Sequence, residues 1–365
     1  MPQSLKILIA CGGTGGHLFP GIAVAEALRA RGHQVLLLIS EKQVDAVASA
    51  GYPHLQFETL SAVAKPSVMS PRFLLFLWKT LGSVRRCKKL LREFAAEAVL
   101  GMGGFTSLPS VYAGHQLGLK TFIHESNARP GRANVMARRY CTQVFLGFEV
   151  AKTFFAEGST VITGTPVRPE MRDLPTREVA AARFELDPGK PTILVTGGSQ
   201  GARRLNELCG QAGALLPAET QIVHIAGALD VERVKASAAA RPGCKVLGFC
   251  DQMPSAYALA DLVIARAGAS SLAEIALAGH PSILVPYPHA ADDHQTCNAA
   301  VFAAAGAATR VPESELDAEK LAAWVAAILN DLPTYKRMAK AARSLAVPDA
   351  AERVCAAIEA ALLSP

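Results

Sequence analysis

Apolar residues in this chain come in short runs set between glycine loops and helical repeats. The run Leu5 to Ala10 predicts a strand and stops at Gly12-Gly13-Thr14-Gly15-Gly16-His17. Helical spacing of apolar positions follows from about Gly21 to Arg31. Val35 to Ser40 reads as the next strand, Val44 to Ala50 as a helix, and Ala98 to Leu100 and Thr121 to His124 as further strands. Strands alternating with helices predict a parallel sheet wrapped by helices.

A proline- and charge-rich passage from Pro166 to Pro191, holding a helix at Arg177 to Phe184, predicts a join between domains. The opening pattern then recurs. Thr192 to Thr196 is a strand, Gly197-Gly198-Ser199-Gln200-Gly201 a second glycine loop, and a helix starts near Arg203. Further units are expected at Gln221 to Ile225, Lys245 to Gly248, Leu262 to Ala265 and Ser282 to Pro286, with a last helix at Ala350 to Leu363. The expected fold is α/β: two doubly wound Rossmann-like domains facing a cleft, residues 1–167 and 168–347. The helix at about 348–365 is expected to pack back onto the first domain.

With 365 residues, 50% hydrophobic and 19% charged, the chain is long enough for two cores. Eight cysteines show no C-x-x-C pair or zinc-like spacing, which argues for reduced thiols in a cytoplasm. The first apolar run is cut short by glycines, and no stretch approaches the roughly 18 apolar residues of a spanning helix, so neither secretion nor integral insertion is expected. The net charge of +6 is unevenly divided: residues 1–167 hold 18 Lys+Arg against 9 Asp+Glu, the remainder 19 against 22. The basic first half should face an anionic partner.

Four glycines in the first loop let the backbone approach a ligand and take positive φ without a Cβ penalty. The helix that follows turns its first N–H groups toward whatever sits there, which predicts a seat for an anion or sugar phosphate. This is not the dinucleotide fingerprint, because Leu18 stands where a third glycine is needed. His17 adds a group that can take a proton near neutral pH.

Arg266-Ala267-Gly268-Ala269, Glu274, Gly279-His280-Pro281, Pro286, Asp292-Asp293-His294-Gln295 and Asn298-Ala299 resemble the nucleotide-sugar signature of glycosyltransferases with the two-Rossmann B fold. Four further motifs join the first glycine loop: Gly101-Met102-Gly103-Gly104, His124-Glu125-Ser126-Asn127, Gly164-Thr165-Pro166-Val167-Arg168 and Gly197 to Ala202. With them, nearly the whole chain is similar to the MurG-type peptidoglycan N-acetylglucosaminyltransferases, which turn lipid I into lipid II. Ser126 departs from the usual Gln of that family, and Thr165 from its frequent Asn.

The resemblance implies inverting transfer of GlcNAc from UDP-GlcNAc to the C4 hydroxyl of MurNAc in lipid I, without a cofactor, on the cytoplasmic face of a bacterial plasma membrane. It implies a donor site of Asn127, Arg168, Ser199, Cys250, Ala269, Ser270, Ser271, Leu272, Ala273, Glu274, His294 and Gln295. Glu274 would accept from both ribose hydroxyls, Gln295 would hold the sugar, and the backbone at Cys250 would read uracil. With the donor claimed by the second half, Gly13, Thr14, Gly15, Gly16, Gly103 and Gly104 are expected at the acceptor's lipid diphosphate, Thr14 to Gly16 also reaching the donor. His17 is the candidate base and Glu125 the second catalytic candidate.

Each assignment has a structural alternative. Ser271-x-x-Glu274 is also a capping box, Ser199 an N-cap, and Arg168 one half of an interdomain ion pair. Gln295 can be a helix-start residue behind a capping Asp292 or Asp293, Asn127 an Asx turn before Pro130-Gly131, and His17 a ring that merely pins the glycine loop.

No Asp-x-Asp occurs, so no metal ion is expected on the diphosphate; helix N-termini and Arg168 would stabilise its charge instead. Pro71 to Trp78 and the basic residues through Arg92 predict one helix, with Phe73, Phe76, Leu77, Trp78, Arg85 and Arg86 docking on an anionic membrane. The alternative is a core helix with a solvated basic end. No nucleic-acid partner is expected. Three rivals stay open: a transferase of this fold acting on another lipid, a UDP-GlcNAc 2-epimerase-like enzyme, and a nicotinamide-binding oxidoreductase or nucleotide sensor, which the missing third glycine disfavours.

Overall fold

The computed structural model of the chain describes residues 4–41, 51–61, 72–156, 158–198, 202–238 and 241–363. The helix expected at Val44 to Ala50 lies outside these residues, as do Ser199 and the side chains of Phe73, Phe76 and Leu77. Contacts divide the chain into two units, Met1–Arg168 with Asp349–Pro365, and Pro169–Pro348.

The first unit runs β1 (Lys6–Ala10), α1 (Gly15–Ala30), β2 (Gln34–Ser40), β3 (Gln56–Leu60), α2 (Arg72–Phe94), β4 (Ala98–Gly101), α3 (Gly104–Gln116), β5 (Lys120–Glu125), α4 (Arg132–Ala137), β6 (Gln143–Leu146) and β7 (Thr160–Ile162). Its described strands form one parallel sheet in the order β3-β2-β1-β4-β5-β6-β7. Successive side chains of a strand point to opposite faces, and β1 shows the consequence. Ile7 and Ile9 join α1 residues Leu18, Ile22 and Leu28 in one core, while Leu8 and Ala10 join Cys87 and Leu91 of α2 and Val111 of α3 in the other.

The second unit runs α5 (Arg177–Phe184), β8 (Thr192–Thr196), α6 (Arg203–Gly213), β9 (Gln221–Ile225), α7 (Val231–Ala238), β10 (Cys244–Leu247), α8 (Met253–Leu259), β11 (Leu262–Ala265), α9 (Ala269–Ala278), β12 (Ser282–Leu284), α10 (His294–Ala304), β13 (Ala308–Arg310), α11 (Ala318–Leu329) and α12 (Leu332–Ser344). Its parallel sheet has the order β10-β9-β8-β11-β12-β13. The last helix, α13 (Ala350–Leu363), returns to the first unit. There Val354, Cys355 and Ile358 enter the α1 core, and Glu359 meets Arg31 at 2.7 Å and His33 at 2.8 Å.

Both sheets reverse direction once. From β1 the chain steps outward to β2 and β3, then restarts on the other side of β1 with β4; in the second unit β8 and β11 are the corresponding neighbours. Loops leaving such adjacent strands part to opposite faces and open a crevice at the carboxyl end of the sheet, where ligands bind in doubly wound folds. The first glycine loop and Gly101 to Gly104 flank one switch point. Gly197 and Gly198 after β8 and the segment after Ala265 flank the other.

Two departures from the sequence expectation have physical causes. The first helix starts at Gly15 rather than near Gly21, since the loop's own glycines form its first turn and the helix continues through Pro20. Strands β3, β7 and β13 are edge strands in which most residues are exposed or only partly buried, so no long apolar run announces them.

Candidate functional site

At the first switch point α1 and α3 begin side by side. Thr14 and Gly103 are their N-cap residues; neither supplies a side-chain cap, and neither helix has an acidic residue in its first turn. Two positive helix ends therefore meet at Gly13 to Gly16 and Gly103-Gly104, a natural place for an anion. Glycine is required for this approach. A Cβ on Gly12 would lie 2.2 Å from the Ser40 nitrogen, and one on Gly103 (φ 101°) 2.8 Å from His17 Cε1 and 2.9 Å from its Nδ1. Thr106 Oγ1 accepts from the Gly12 N–H at 3.1 Å and ties the two loops together.

His17 is thus packed against the α3 loop while keeping part of its surface exposed. The pinning task expected as its alternative is real, and it leaves the ring at the meeting point of both helix ends. Arg168 lies over the Phe19 ring, 4.5 Å from its centroid, a cation–π contact within the same unit two residues beyond His17.

The end of β5 is organised by one carboxylate. Glu125 is 2% exposed. It accepts from the Asn127 backbone N–H, the Asn127 amide, the Gly131 N–H and the Asn134 amide, all at 2.9 Å. Burial raises its pKa, and these four donors oppose the rise. With four acceptor sites taken up, the carboxylate shapes the loop from Asn127 to Asn134, an occupation different from the proton transfer considered for it. Beside it His124 is fully buried and donates from Nε2 to the Gly164 carbonyl at 2.9 Å. Burial, opposed by the hydrogen bond to Gly164 and assisted by the nearby His17, pushes its pKa down to about 4. His124 is therefore neutral near pH 7 and adds no positive charge against His17. The unusual Ser126 places its hydroxyl 3.1 Å from His124 Nδ1, and Thr165 packs where a Cβ on Gly147 would stand.

In the second unit α9 begins at Ala269 with Gly268 as its N-cap, again without a side-chain cap. Ser271 lies inside the helix, so the capping-box alternative for Ser271 and Glu274 fails. Ala269 and Leu272 are buried, Ser270, Ser271 and Ala273 partly exposed. Glu274, 8% exposed, receives the hydroxyl of the fully buried Tyr257 at 3.3 Å. Cys250 is buried in the loop after β10.

The loop before α10 is strained. Asp292 and Asp293 take φ of 54° and 56°, a conformation costing about 1–3 kcal/mol for each non-glycine residue. Asp293, the N-cap residue of α10, makes no side-chain cap, contrary to the alternative raised for it. His294 donates from Nδ1 to the Ala291 carbonyl at 2.7 Å. Gln295 Oε1 accepts from the Tyr287 N–H at 2.9 Å, which turns its amide NH2 the other way. Arg266 supports this loop from beneath: it is 6% exposed, donates to the Val285 and Pro286 carbonyls at 3.1 and 3.2 Å, and pairs with Glu313.

Helix α2 displays Trp78 and Leu81, 69% and 57% exposed, while Val84, Cys87 and Leu91 enter the core. Arg85 and Arg86 are exposed, the latter 3.2 Å from Glu58. Among the described residues no helix is long and apolar enough to cross a membrane.

Sequence reasoning passes over Asn134 and Tyr257 as working side chains, and it names Arg266 only as part of a motif, without a task. For Asn134 and Tyr257 the partner is nine and seventeen positions away, beyond any local pattern; Arg266 is a charged residue directly behind the apolar strand Leu262–Ala265.

Residues 7–146 match the glycosyltransferase family 28 N-terminal domain and residues 192–354 the glycosyltransferase family 28 C-terminal domain. A curated relative from Geobacter sulfurreducens is 38% identical over 358 residues, 96% of this chain and 97% of its own length. One from Halorhodospira halophila is 39% identical over 358 residues, 97% of each. Both are named UDP-N-acetylglucosamine–N-acetylmuramyl-(pentapeptide) pyrophosphoryl-undecaprenol N-acetylglucosamine transferase. Acinetobacter baumannii MurG has a similar solved structure, with a TM-score of 0.76 and 30% identity over 98% of this chain and 99% of that one.

Proposed function

We propose the following chemistry from the premise that this chain belongs to the UDP-N-acetylglucosamine–N-acetylmuramyl-(pentapeptide) pyrophosphoryl-undecaprenol N-acetylglucosamine transferases. It transfers N-acetylglucosamine from UDP-GlcNAc to lipid I. The observation that carries this reading is identity of 38% running through both units, over 96% of the chain.

In the reaction we propose, the C4 hydroxyl oxygen of MurNAc attacks the anomeric carbon from the side opposite UDP. The bond from that carbon to the diphosphate breaks, its electron pair leaves with UDP, and the hydroxyl proton passes to a base. His17 is that base. Its imidazole stands where the α1 and α3 N-termini meet, so an acceptor diphosphate drawn to those helix ends carries its sugar to the ring. A neutral His124 favours the arrangement, because a second imidazolium would oppose protonation of His17. Glu125 acts as a positioning residue that holds Asn127.

On the donor side, Glu274 takes the ribose hydroxyls and the start of α9 the diphosphate, with Ser199 and the backbone at Cys250 completing the nucleotide contacts. Gln295 offers its amide NH2 to a sugar oxygen. Arg168 adds cationic charge for the departing diphosphate, and no metal ion is needed.

The protein docks peripherally on the cytoplasmic face of the membrane that carries lipid I. Among the described residues of the first unit, the exposed large apolar side chains are Trp78, Leu81, Phe105, Met136, Val150 and Phe154. All lie on segments that pack on one face of the sheet, around Leu8, Ala10 and Ile123. With Arg85 and Arg86 beside them they suit an anionic lipid surface.

Incubation with UDP-GlcNAc and a short-chain lipid I analogue tests the chemistry. The account expects a β-linked product and activity that survives EDTA. An α-linked product, or loss with EDTA and rescue by magnesium, would overturn it.

A further inference from the structure

A buried tyrosine hydroxyl and a buried carboxylate each need a partner, since leaving either unsatisfied costs more than the bond itself contributes. Tyr257 on α8 and Glu274 on α9 supply one another: the Tyr257 hydroxyl donates to Glu274 Oε2 at 3.3 Å, with the tyrosine fully buried. The same tyrosine is fastened to the far end of α9. Gly279, in the left-handed conformation at φ 75°, ends that helix, and His280 directly after it donates from Nε2 to the Tyr257 carbonyl at 2.8 Å. The two rings stack at 6.3 Å with planes 10° apart. Burial pushes the His280 pKa down to about 4, so this contact keeps a neutral imidazole near pH 7.

Tyr257 is therefore clamped by its ring and carbonyl to the end of α9 and reaches with its hydroxyl to the carboxylate in the middle of the helix. A carboxylate on a two-carbon stem can rotate; one whose Oε2 is held from behind presents a fixed plane to a ligand. We propose that Tyr257 is a positioning residue that orients Glu274 toward the ribose, and that it thereby sets the preference of the donor site for ribonucleotides over deoxyribonucleotides. This rests on the ribose role of Glu274. At 3.3 Å the bond is longer than an optimised O–H···O contact.

The test measures binding of UDP and of 2′-deoxy-UDP to the full chain by calorimetry. The native protein should prefer UDP by about tenfold or more, as loss of one hydrogen bond to a charged group predicts. Tyr257→Phe keeps the ring and its stacking; it should weaken UDP by about three- to tenfold and 2′-deoxy-UDP, which keeps only its 3′-hydroxyl on Glu274, by less, so that the preference shrinks. With substrate, KM for UDP-GlcNAc should rise and kcat should hold. His280→Gln is the packing control: it leaves the Tyr257 hydroxyl in place, and is expected to lower the melting temperature while moving the preference less than Tyr257→Phe does. Equal weakening of both nucleotides by Tyr257→Phe, no change in either, or an equal loss of preference in His280→Gln would overturn the positioning role. Glu274→Gln separates the two layers of the argument: if it leaves the preference intact, the ribose reading itself fails.

Discussion

The two switch points are built alike and work differently. In each, a buried strand runs into a glycine loop and a helix, next to a second strand that leads into another helix lacking a side-chain cap. At the first, backbone meets backbone so closely that only glycine fits, and the titratable ring of His17 is held at the junction. At the second, the helix that follows the neighbouring strand β11 carries Glu274, backed by Tyr257, and Gln295 stands just after a strained turn; these are the side chains proposed to recognise the donor. In the proposed account the same architecture offers an anion seat twice, and the residue at the helix start decides whether it also offers a base.

The comparison can be broken by exchanging effects between the two places. The largest effect is expected from His17→Ala, which should lower kcat by about 10²–10⁴ while UDP-GlcNAc binds as before. A loss of less than about tenfold would reject His17 as the base. Glu274→Gln should do the reverse, raising KM for UDP-GlcNAc by about 10–100-fold with a smaller change in kcat. If it instead abolished turnover at saturating donor, the division of tasks would be wrong.

Acid should separate the units by stability. His124 in the first unit, and His224 and His280 in the second, have pKa values pushed from 6.5 to about 4 by burial. A histidine whose folded pKa lies below its unfolded value binds fewer protons when folded, so stability is complete above pH 6.5 and is lost as pH falls toward 4. At pH 5 each such residue removes on the order of 2 kcal/mol. Hydrogen exchange at pH 7 and pH 5 should therefore show the larger loss of protection in the second unit; equal losses would contradict the assignment. The smallest effect belongs to the surface of α2. Replacing Trp78 and Leu81 with serine should weaken sedimentation with anionic vesicles by about fivefold and leave transfer to a water-soluble acceptor unchanged. Unaltered sedimentation would remove α2 from the docking surface.

Much of this contrast is legible in the amino-acid order because parallel strands buried on both faces show as apolar runs, and because glycine loops punctuate them. Thr192–Thr196, Leu262–Ala265 and α13 fall where the pattern puts them. Edge strands such as Thr160–Ile162 do not announce themselves, since water on one side removes the need for apolar residues. The local rules mislead at Ser271, which matches a cap motif yet lies inside a helix begun by Gly268. They are silent on the loop-shaping part Glu125 plays, whose four donors come from Asn127, Gly131 and Asn134 in the loop that follows it. Tyr257 is hidden for the same reason: its hydroxyl finds a partner only when α8 and α9 pack together.

The most direct test offers the native protein labelled UDP-GlcNAc with a short-chain lipid I analogue, with diacylglycerol, and with no acceptor. Label should pass to the lipid I analogue alone, with the donor unchanged when no acceptor is present. Transfer to diacylglycerol, or epimerised nucleotide sugar in the absence of acceptor, would contradict the account.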